Sequence, residues 1–434
     1  MRSTRKYAAL TLGVAAALAL GACGSSSGSS GSSSGNQASG PVTLTWWHNG
    51  NTQPLMGVWQ QVANSYHSAH SKVSFKIVPI QSEQFKTKMP LALKGSNPPD
   101  IFQQWGAGNE ATQVQSGKLA NLTPLVSSWV GQLGTAAKSW QVNGQQYGLP
   151  YDLHVVGFWY RKDLFAKAGI TSPPTTLAAL ESDDAKLKAH HIVPIAVGSK
   201  DQWPDAFWWE YFALRECPSS TLQQAMKASD LSAPCFMKAS SDLTAFMKTS
   251  PFQPAFLSTP SQTGAGSSAG MLANGKAAME LQGDWETIVT PALTSDKQLI
   301  SKLGWFPFPS VTGGGGSPTT VLDGGDGFSC TTAAAEPACA DFLKYVDSVP
   351  VQEKLVSQAN VGLPANPGAQ GALSNPALKT AAQALHNASY AQVYFDIALP
   401  TNPGLALDQA IANFFAGKAT PQQVVNSVQA NAGH

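Results

Sequence analysis

Charge is scarce in this sequence and evenly balanced. Only 12% of its 434 residues are Asp, Glu, Lys or Arg, with 27 basic against 26 acidic. Without Arg2, Arg5 and Lys6 the balance becomes 24 to 26. No basic stripe marks a nucleic-acid surface, so nucleic acid is not expected as a partner. Beyond the first 20 residues no apolar run approaches the ~20 residues that a membrane helix needs. Cysteines number five, none spaced Cys-x-x-Cys and none beside a histidine, so no metal site or cofactor is expected. The one adjacent histidine pair, His190-His191, points to two different faces of a helix. Gly313 to Gly316 lacks the Lys-Ser/Thr of a phosphate cradle and reads as a surface loop. No internal repeat is visible.

What is present begins at the N-terminus. A basic head (Arg2, Arg5, Lys6) precedes an apolar stretch from Ala8 to Leu20 that is too short to span a bilayer. Such a head, body and small-residue exit describe a secretory signal over residues 1–22. Leu20-Gly21-Ala22-Cys23 resembles the lipobox of bacterial lipoproteins, which implies that Cys23 carries lipid. Residues 24–40 are nearly all Ser and Gly, a flexible tether between an anchor and a mobile body. Lipidation would place the chain on the extracytoplasmic face of the bacterial cell membrane. In that setting Cys217, Cys235, Cys330 and Cys339 are expected as disulfides. Three pairings are possible, and Cys217–Cys235 with Cys330–Cys339 is favoured because each closes a short loop.

The body, residues 41–434, is longer than one core usually requires, so two lobes are expected. Val42, Leu44 and Trp46 alternate with threonines as in a strand. Leu55, Val58, Trp59, Val62 and Tyr66 follow at helical spacing after Pro54. Val73, Phe75 and Ile77 form a second strand, residues 82–94 a helix stopped by Gly95 with a kink at Pro90, and residues 100–103 a third strand. This rhythm is that of a parallel α/β sheet. Further strands are expected at 155–160, 192–197 and 277–281. Helices are expected at 162–168, 177–189, 203–216 and from Asp284, with a mostly helical tail from about 334.

Several segments carry a family resemblance. They are residues 42–50 (VTLTWWHNG), 97–102 (NPPDIF), 117–125 (GKLANLTPL), 147–164 (YGLPYDLHVVGFWYRKDL), 275–285 (GKAAMELQGDW) and 322–330 (LDGGDGFSC). In this order, behind a lipobox and tether, the chain resembles the extracellular solute-binding proteins of carbohydrate ABC importers, the maltose-binding-protein-like group. The resemblance implies an α/β, two-lobed periplasmic-binding-protein-like fold with a ligand cleft between the lobes. The first lobe would hold about 41–150 and 305–350, the second about 151–304 and 351–434. Crossings are expected near 149–151, near 304–309 and in the tail. The implied partners are a sugar, the permease subunits of an ABC importer and the membrane through the lipid; a monomer is expected.

A sugar offers a C–H face to aromatic rings and hydroxyls to short polar side chains, at loops that leave strand ends. Trp47, His48 and Asn49 fit that context, as do Gln104 and Trp105. Tyr151 and Asp152 sit at the expected crossing, where an acid before an apolar strand calls for a ligand, solvent or a cap role. Trp203 begins an aromatic helix, while one of Trp208 and Trp209 should turn into the core. Gly283, Asp284 and Trp285 follow a strand; Asp284 binds ligand or instead caps the next helix. Gly325 and Asp326 let backbone approach a ligand or form a tight turn. Tyr394 with Asp396 completes the set. No residue is expected to be catalytic. Two rival readings stand beside sugar capture. A glycosidase needs two carboxylates about 5–10 Å apart, for which Asp152 and Asp284 would have to converge. A receptor for a peptide or polyamine is the other. Replacing Cys23 by Ala is expected to leave the chain unlipidated and release it to the medium. Mass analysis of the wild-type N-terminal peptide checks this, and a lipid-free wild type refutes it.

Overall fold

Alternation along Val42–His48 sends Leu44 and Trp46 inward, and the strand becomes the second of a five-stranded sheet. It pairs in parallel with Val73–Pro79 on one side and Ile101–Gln104 on the other. Helices Leu55–Ala69 and Ser82–Lys94 supply the crossovers, the second containing Pro90 as expected. The two remaining strands, Gly327–Cys330 and Gly148–Pro150, join antiparallel, so this sheet is mixed rather than wholly parallel. A computed structural model provides this description for residues 40–432. The expected signal, Cys23 and the tether up to residue 39 lie outside the described residues. No described helix is long and apolar enough to cross a membrane.

A second sheet runs Leu303–Phe306, Gly157–Arg161, Ala277–Gln282, Val193–Ala196. Helix Trp203–Glu216 fills the core against it, with every residue after Trp203 buried. A helix enclosed on all sides has no outward face, so Trp208 and Trp209 are both core residues. The expectation that only one of them is buried is corrected accordingly.

A third sheet joins the lobes: Leu363–Pro364, Asp152–Val155, Val321–Gly324, Ala391–Val393. Every one of its strands is a piece of chain near a lobe boundary. Residues 155–160, expected as one strand, are therefore two. Asp152–Val155 stays in the joining sheet, and Gly157–Arg161 belongs to the second lobe. The break falls at Val156, and at Gly157, where the new strand begins, a Cβ would lie 2.1 Å from the Trp305 ring. The crossing expected near 304–309 is also corrected. Leu303–Phe306 pairs with Gly157–Arg161 inside the second lobe, and the chain returns at Asp323 to Gly327 instead. Val351, Leu355, Val361 and Ala365 pack on the first-lobe core, so that lobe extends past residue 350. Residues 395–428 pack on the second-lobe core.

Both favoured disulfides are present. Cys217–Cys235 ties the end of the central helix to Pro234–Lys248, and Cys330–Cys339 ties a sheet strand to helix Glu336–Val346.

Beneath the first sheet lies Glu110, fully buried. Its Oε1 accepts from the Ser329 hydroxyl at 3.1 Å, while its Oε2 has no partner. Burial pushes its carboxyl up to about 8, against the Ser329 bond. Burial likewise raises Asp205 and Glu280 to about 8 and Asp323 to about 7. The unfolded chain releases these protons near the ordinary carboxylate range, roughly pH 4. Between those limits the folded state holds more protons, so rising pH favours unfolding. His48, lowered to about 3 by burial, acts in the opposite sense but only below its unfolded value near pH 6.5. Stability is therefore expected to fall from pH 5 to pH 8. Glu110→Gln should flatten that fall by up to about 1.4 kcal/mol per pH unit, since glutamine carries no proton to lose. Urea unfolding at both pH values measures it, and identical slopes for wild type and variant refute it.

Candidate functional site

Three parallel strands of the first lobe end on one side, and each ending contributes to a cleft. Asn49 follows Val42–His48, Gln81, Ser82 and Glu83 follow Val73–Pro79, and Trp105 follows Ile101–Gln104. The second lobe answers with aromatic rings. Trp203 and Phe207 come from the start of the central helix, Trp285 follows Ala277–Gln282, and Tyr394 follows Ala391–Val393. The cleft encloses about 380 Å³. Trp285 meets Trp203, Phe207 and Tyr394 at centroid distances of 6.0, 6.2 and 6.4 Å, making a continuous aromatic wall. Across the cleft, the Trp203 Nε1–H donates to Glu83 Oε1 at 3.1 Å, and Lys86 Nζ lies 5.4 Å from the Trp203 ring. These contacts join the two lobes directly.

The floor is built from the crossing strands. Strand alternation puts Asp152 and His154 on one face. His154 Nδ1 lies 2.8 Å from Asp284 Oδ1. Its Nε2 lies 3.4 Å from Asp152 Oδ1 and 3.5 Å from Asp326 Oδ2. Asp152 Oδ1 also accepts the Asp326 backbone N–H at 2.7 Å, and the Tyr151 hydroxyl donates to Asp326 Oδ2 at 3.2 Å. Burial opposes a charge on His154, but Asp152 and Asp284 hold its pKa well above the ordinary histidine value. Burial pushes the Asp152 carboxyl up, with His154 opposing and Asp326 and Asp284 reinforcing. Trp285 closes the floor, its ring perpendicular to His154 at 5.0 Å.

Of the residues expected at the site, Asn49, Trp105, Trp203, Trp285, Asp326 and Tyr394 line the cleft. Asp152, Asp284 and Tyr151 stand behind it as supports. Asp284 is not a helix cap: the next helix starts at Glu286 without a side-chain cap, and Asp284 is committed to His154 and the Val155 N–H. Gly283 and Gly325 serve by lacking a side chain. A Cβ on Gly283 would come within 2.2 Å of the Trp285 ring, and one on Gly325 within 2.6 Å of the Asp152 carbonyl.

Three placements are corrected. Trp47 packs against the Phe85 and Met89 cluster and does not line the cleft. His48 is buried beside Trp46 and Trp59, because the alternation that buries Trp46 buries the residue two further on. Gln104 is buried and spends its amide on Gln113 and on the N–H groups of Trp105 and Gly106. Sequence reasoning passed over Gln81, Glu83, Lys86, Phe207 and His154. The strand-end rule that selected Asn49 also selects Gln81 and Glu83, and the two-residue spacing from Asp152 selects His154. Residues 266–270 spell Gly-x-Ser-x-Gly, a nucleophile-elbow pattern. Ser268 there is buried and donates to the Ser261 carbonyl, so it is no exposed nucleophile.

The family described as bacterial extracellular solute-binding protein matches residues 49–353, about 70% of the chain. A diacetylchitobiose-binding protein of Streptomyces coelicolor is 29% identical over 166 residues, 37% of either chain. An sn-glycerol-3-phosphate-binding periplasmic protein of Brucella abortus is 23% identical over 210 residues, 45% of this chain and 47% of that one. These matches span less than half the length of the curated relatives. Among solved structures, one from work on xylan utilization by Caldanaerobius polysaccharolyticus superposes with a TM-score of 0.82 at 22% identity. It covers 90% of this chain and 100% of that one. A chitin oligosaccharide binding protein superposes with a TM-score of 0.77 at 23% identity, over 90% and 98% of the two chains. The two-lobed architecture is thereby established.

The floor network predicts a stability effect. Asp284→Ala removes the acceptor of a buried histidine and of the Val155 N–H. It is expected to lower the unfolding free energy by about 1.5–3 kcal/mol, whereas Asp284→Asn keeps an acceptor and costs less. Urea unfolding distinguishes them, and equal stability of Asp284→Ala and wild type refutes the supporting role.

Proposed function

The chain belongs to the bacterial extracellular solute-binding proteins, and we propose that it captures a sugar, an oligosaccharide, between its lobes for delivery to an ABC importer permease. The observation that carries this reading is the composition of the cleft. One wall is aromatic (Trp203, Phe207, Trp285, Tyr394), and the other offers amide and carboxylate groups (Asn49, Gln81, Glu83). The aromatic faces suit the C–H face of a pyranose ring, and the opposing groups suit its hydroxyls. The relatives named for diacetylchitobiose and chitin oligosaccharide direct the first choice of ligand. Closure would bring the walls together, as the Glu83–Trp203 bond already does at one point.

In this reading the chain is no enzyme. Asp152 and Asp284, the pair a glycosidase would need, are consumed by the Asp326 backbone, His154 and Val155. In the same reading the lipobox-like Cys23 and its tether would anchor the receptor to the outer face of the membrane.

A sugar library that includes diacetylchitobiose and longer chitin and xylan oligosaccharides should contain a ligand that raises the melting temperature. Trp285→Ala should weaken that ligand about ten- to a hundredfold by calorimetry, roughly 1–3 kcal/mol, with the sugar recovered uncleaved. No melting shift with any sugar, or shortened sugar products, overturns the reading.

A further inference from the structure

We infer that the cleft floor is a binding site for a divalent transition-metal cation, held by Asp152, His154 and Asp326 with a fourth position open to the cleft. The three offer one ligand atom each, all within 4.8 Å of one another. The distances from His154 Nε2 to the two carboxylate oxygens, 3.4 and 3.5 Å, lie beyond the usual range of N–H···O hydrogen bonds, about 2.7–3.2 Å. They match the edge of a tetrahedron whose centre lies about 2.0–2.2 Å from each corner, which is the bond length of such ions to histidine and carboxylate.

The orienting shell is also in place. His154 Nδ1 sits 2.8 Å from Asp284 Oδ1; a metal that displaced the proton of Nε2 would find the remaining ring proton held on Nδ1 by that pairing and the Nε2 lone pair turned toward Asp152 and Asp326. A histidine ligand backed by a carboxylate in this way is a recurrent support for a bound metal. The two carboxylate ligands have their own restraints. The Asp326 N–H donates to Asp152 Oδ1 at 2.7 Å, and the Tyr151 hydroxyl donates to Asp326 Oδ2 at 3.2 Å. The ligand side chains are 3%, 5% and 16% exposed, with Asp326 the most open, so the site is dry on the protein side and reachable from the cleft.

One nitrogen and two oxygens form a borderline donor set, suited to Zn²⁺, Co²⁺ or Mn²⁺ and poorly suited to soft Cu⁺. Asp152 and His154 lie on the strand that enters the second lobe, and Asp326 lies in the return. A metal here would bridge two crossings and offer its open position to paired hydroxyls of a ligand. The site stands without the sugar proposal, because its test contains no sugar.

The full mature chain, stripped with a chelator and dialysed, is titrated with Co²⁺ and then competed with Zn²⁺. A visible d–d band of a four-coordinate site is expected, together with quenching of Trp285, whose ring lies 5.0 Å from His154. Zn²⁺ should abolish the band and raise the melting temperature. His154→Gln and Asp326→Asn should each weaken binding at least about tenfold. The double variant His190→Gln/His191→Gln, away from the cleft, should bind as wild type. Asp326→Asn decides the matter if His154→Gln does not fold, because Asp326 is the least buried ligand. Neither band nor quenching at millimolar Co²⁺, wild-type binding by folded Asp326→Asn, or loss of binding in the His190/His191 variant overturns the assignment.

Discussion

His154 and Asp284, 2.8 Å apart, hold together the place where this chain changes lobes. A crossing strand leaves one sheet before it enters the next, so its backbone and polar side chains need partners at the junction. The joining sheet supplies the backbone partners for Asp152–Val155, through Val321–Gly324 and Leu363–Pro364. The side chains are answered by each other: His154 by three carboxylates, Asp152 by the Asp326 N–H. The cleft opens directly above this junction, so the residues that tie the lobes also form the floor on which a ligand would rest.

Twelve tryptophans are divided between packing and recognition. Trp46, Trp59, Trp129, Trp140, Trp159, Trp208, Trp209 and Trp305 are buried, and of the others only Trp105, Trp203 and Trp285 line the cleft. What separates them is position rather than residue type. The cleft tryptophans all sit at element ends, where the backbone leaves its sheet or begins a helix. Their rings are held by other aromatic side chains: Trp105 edge-on to Phe85 at 5.7 Å, Trp203 against Phe207 at 5.3 Å. Glycines do the complementary work. Gly283 leaves room for the Trp285 ring, and Gly324 leaves room for Tyr394, each at a spacing that a Cβ would violate.

Much of this was legible in the residues themselves. Helices Ser82–Lys94, Leu177–Ala189 and Trp203–Glu216 begin and end where their periodicity and stop signals place them. Both local disulfides follow from short loop length, and the two-lobed fold follows from the ordered family segments. Trp285 and Asn49 were found because a strand end is a local feature with a known relation to clefts. The residues misplaced were those whose neighbours come from far away in sequence. Alternation says that Trp46 and Trp47 face opposite ways, but not that the side bearing His48 is sealed by Trp59 and Phe328. Asp284 has the form of a helix cap, and only a histidine 130 residues earlier makes it a partner in an ion pair instead.

By itself, then, the sequence determined most of the elements, their order and the local crosslinks, because each depends on residues close to one another in the chain. Only the tertiary structure decided where the chain returns between lobes, since Leu303–Phe306 reads as a strand in either lobe until Gly157–Arg161 pairs with it. It also decided which polar groups are neutralised in the interior. Burial and partner charge set that outcome, and both are sums over distant residues: Asp152, His154, Asp284 and Asp326 meet across more than 170 positions of chain, where no local pattern reaches.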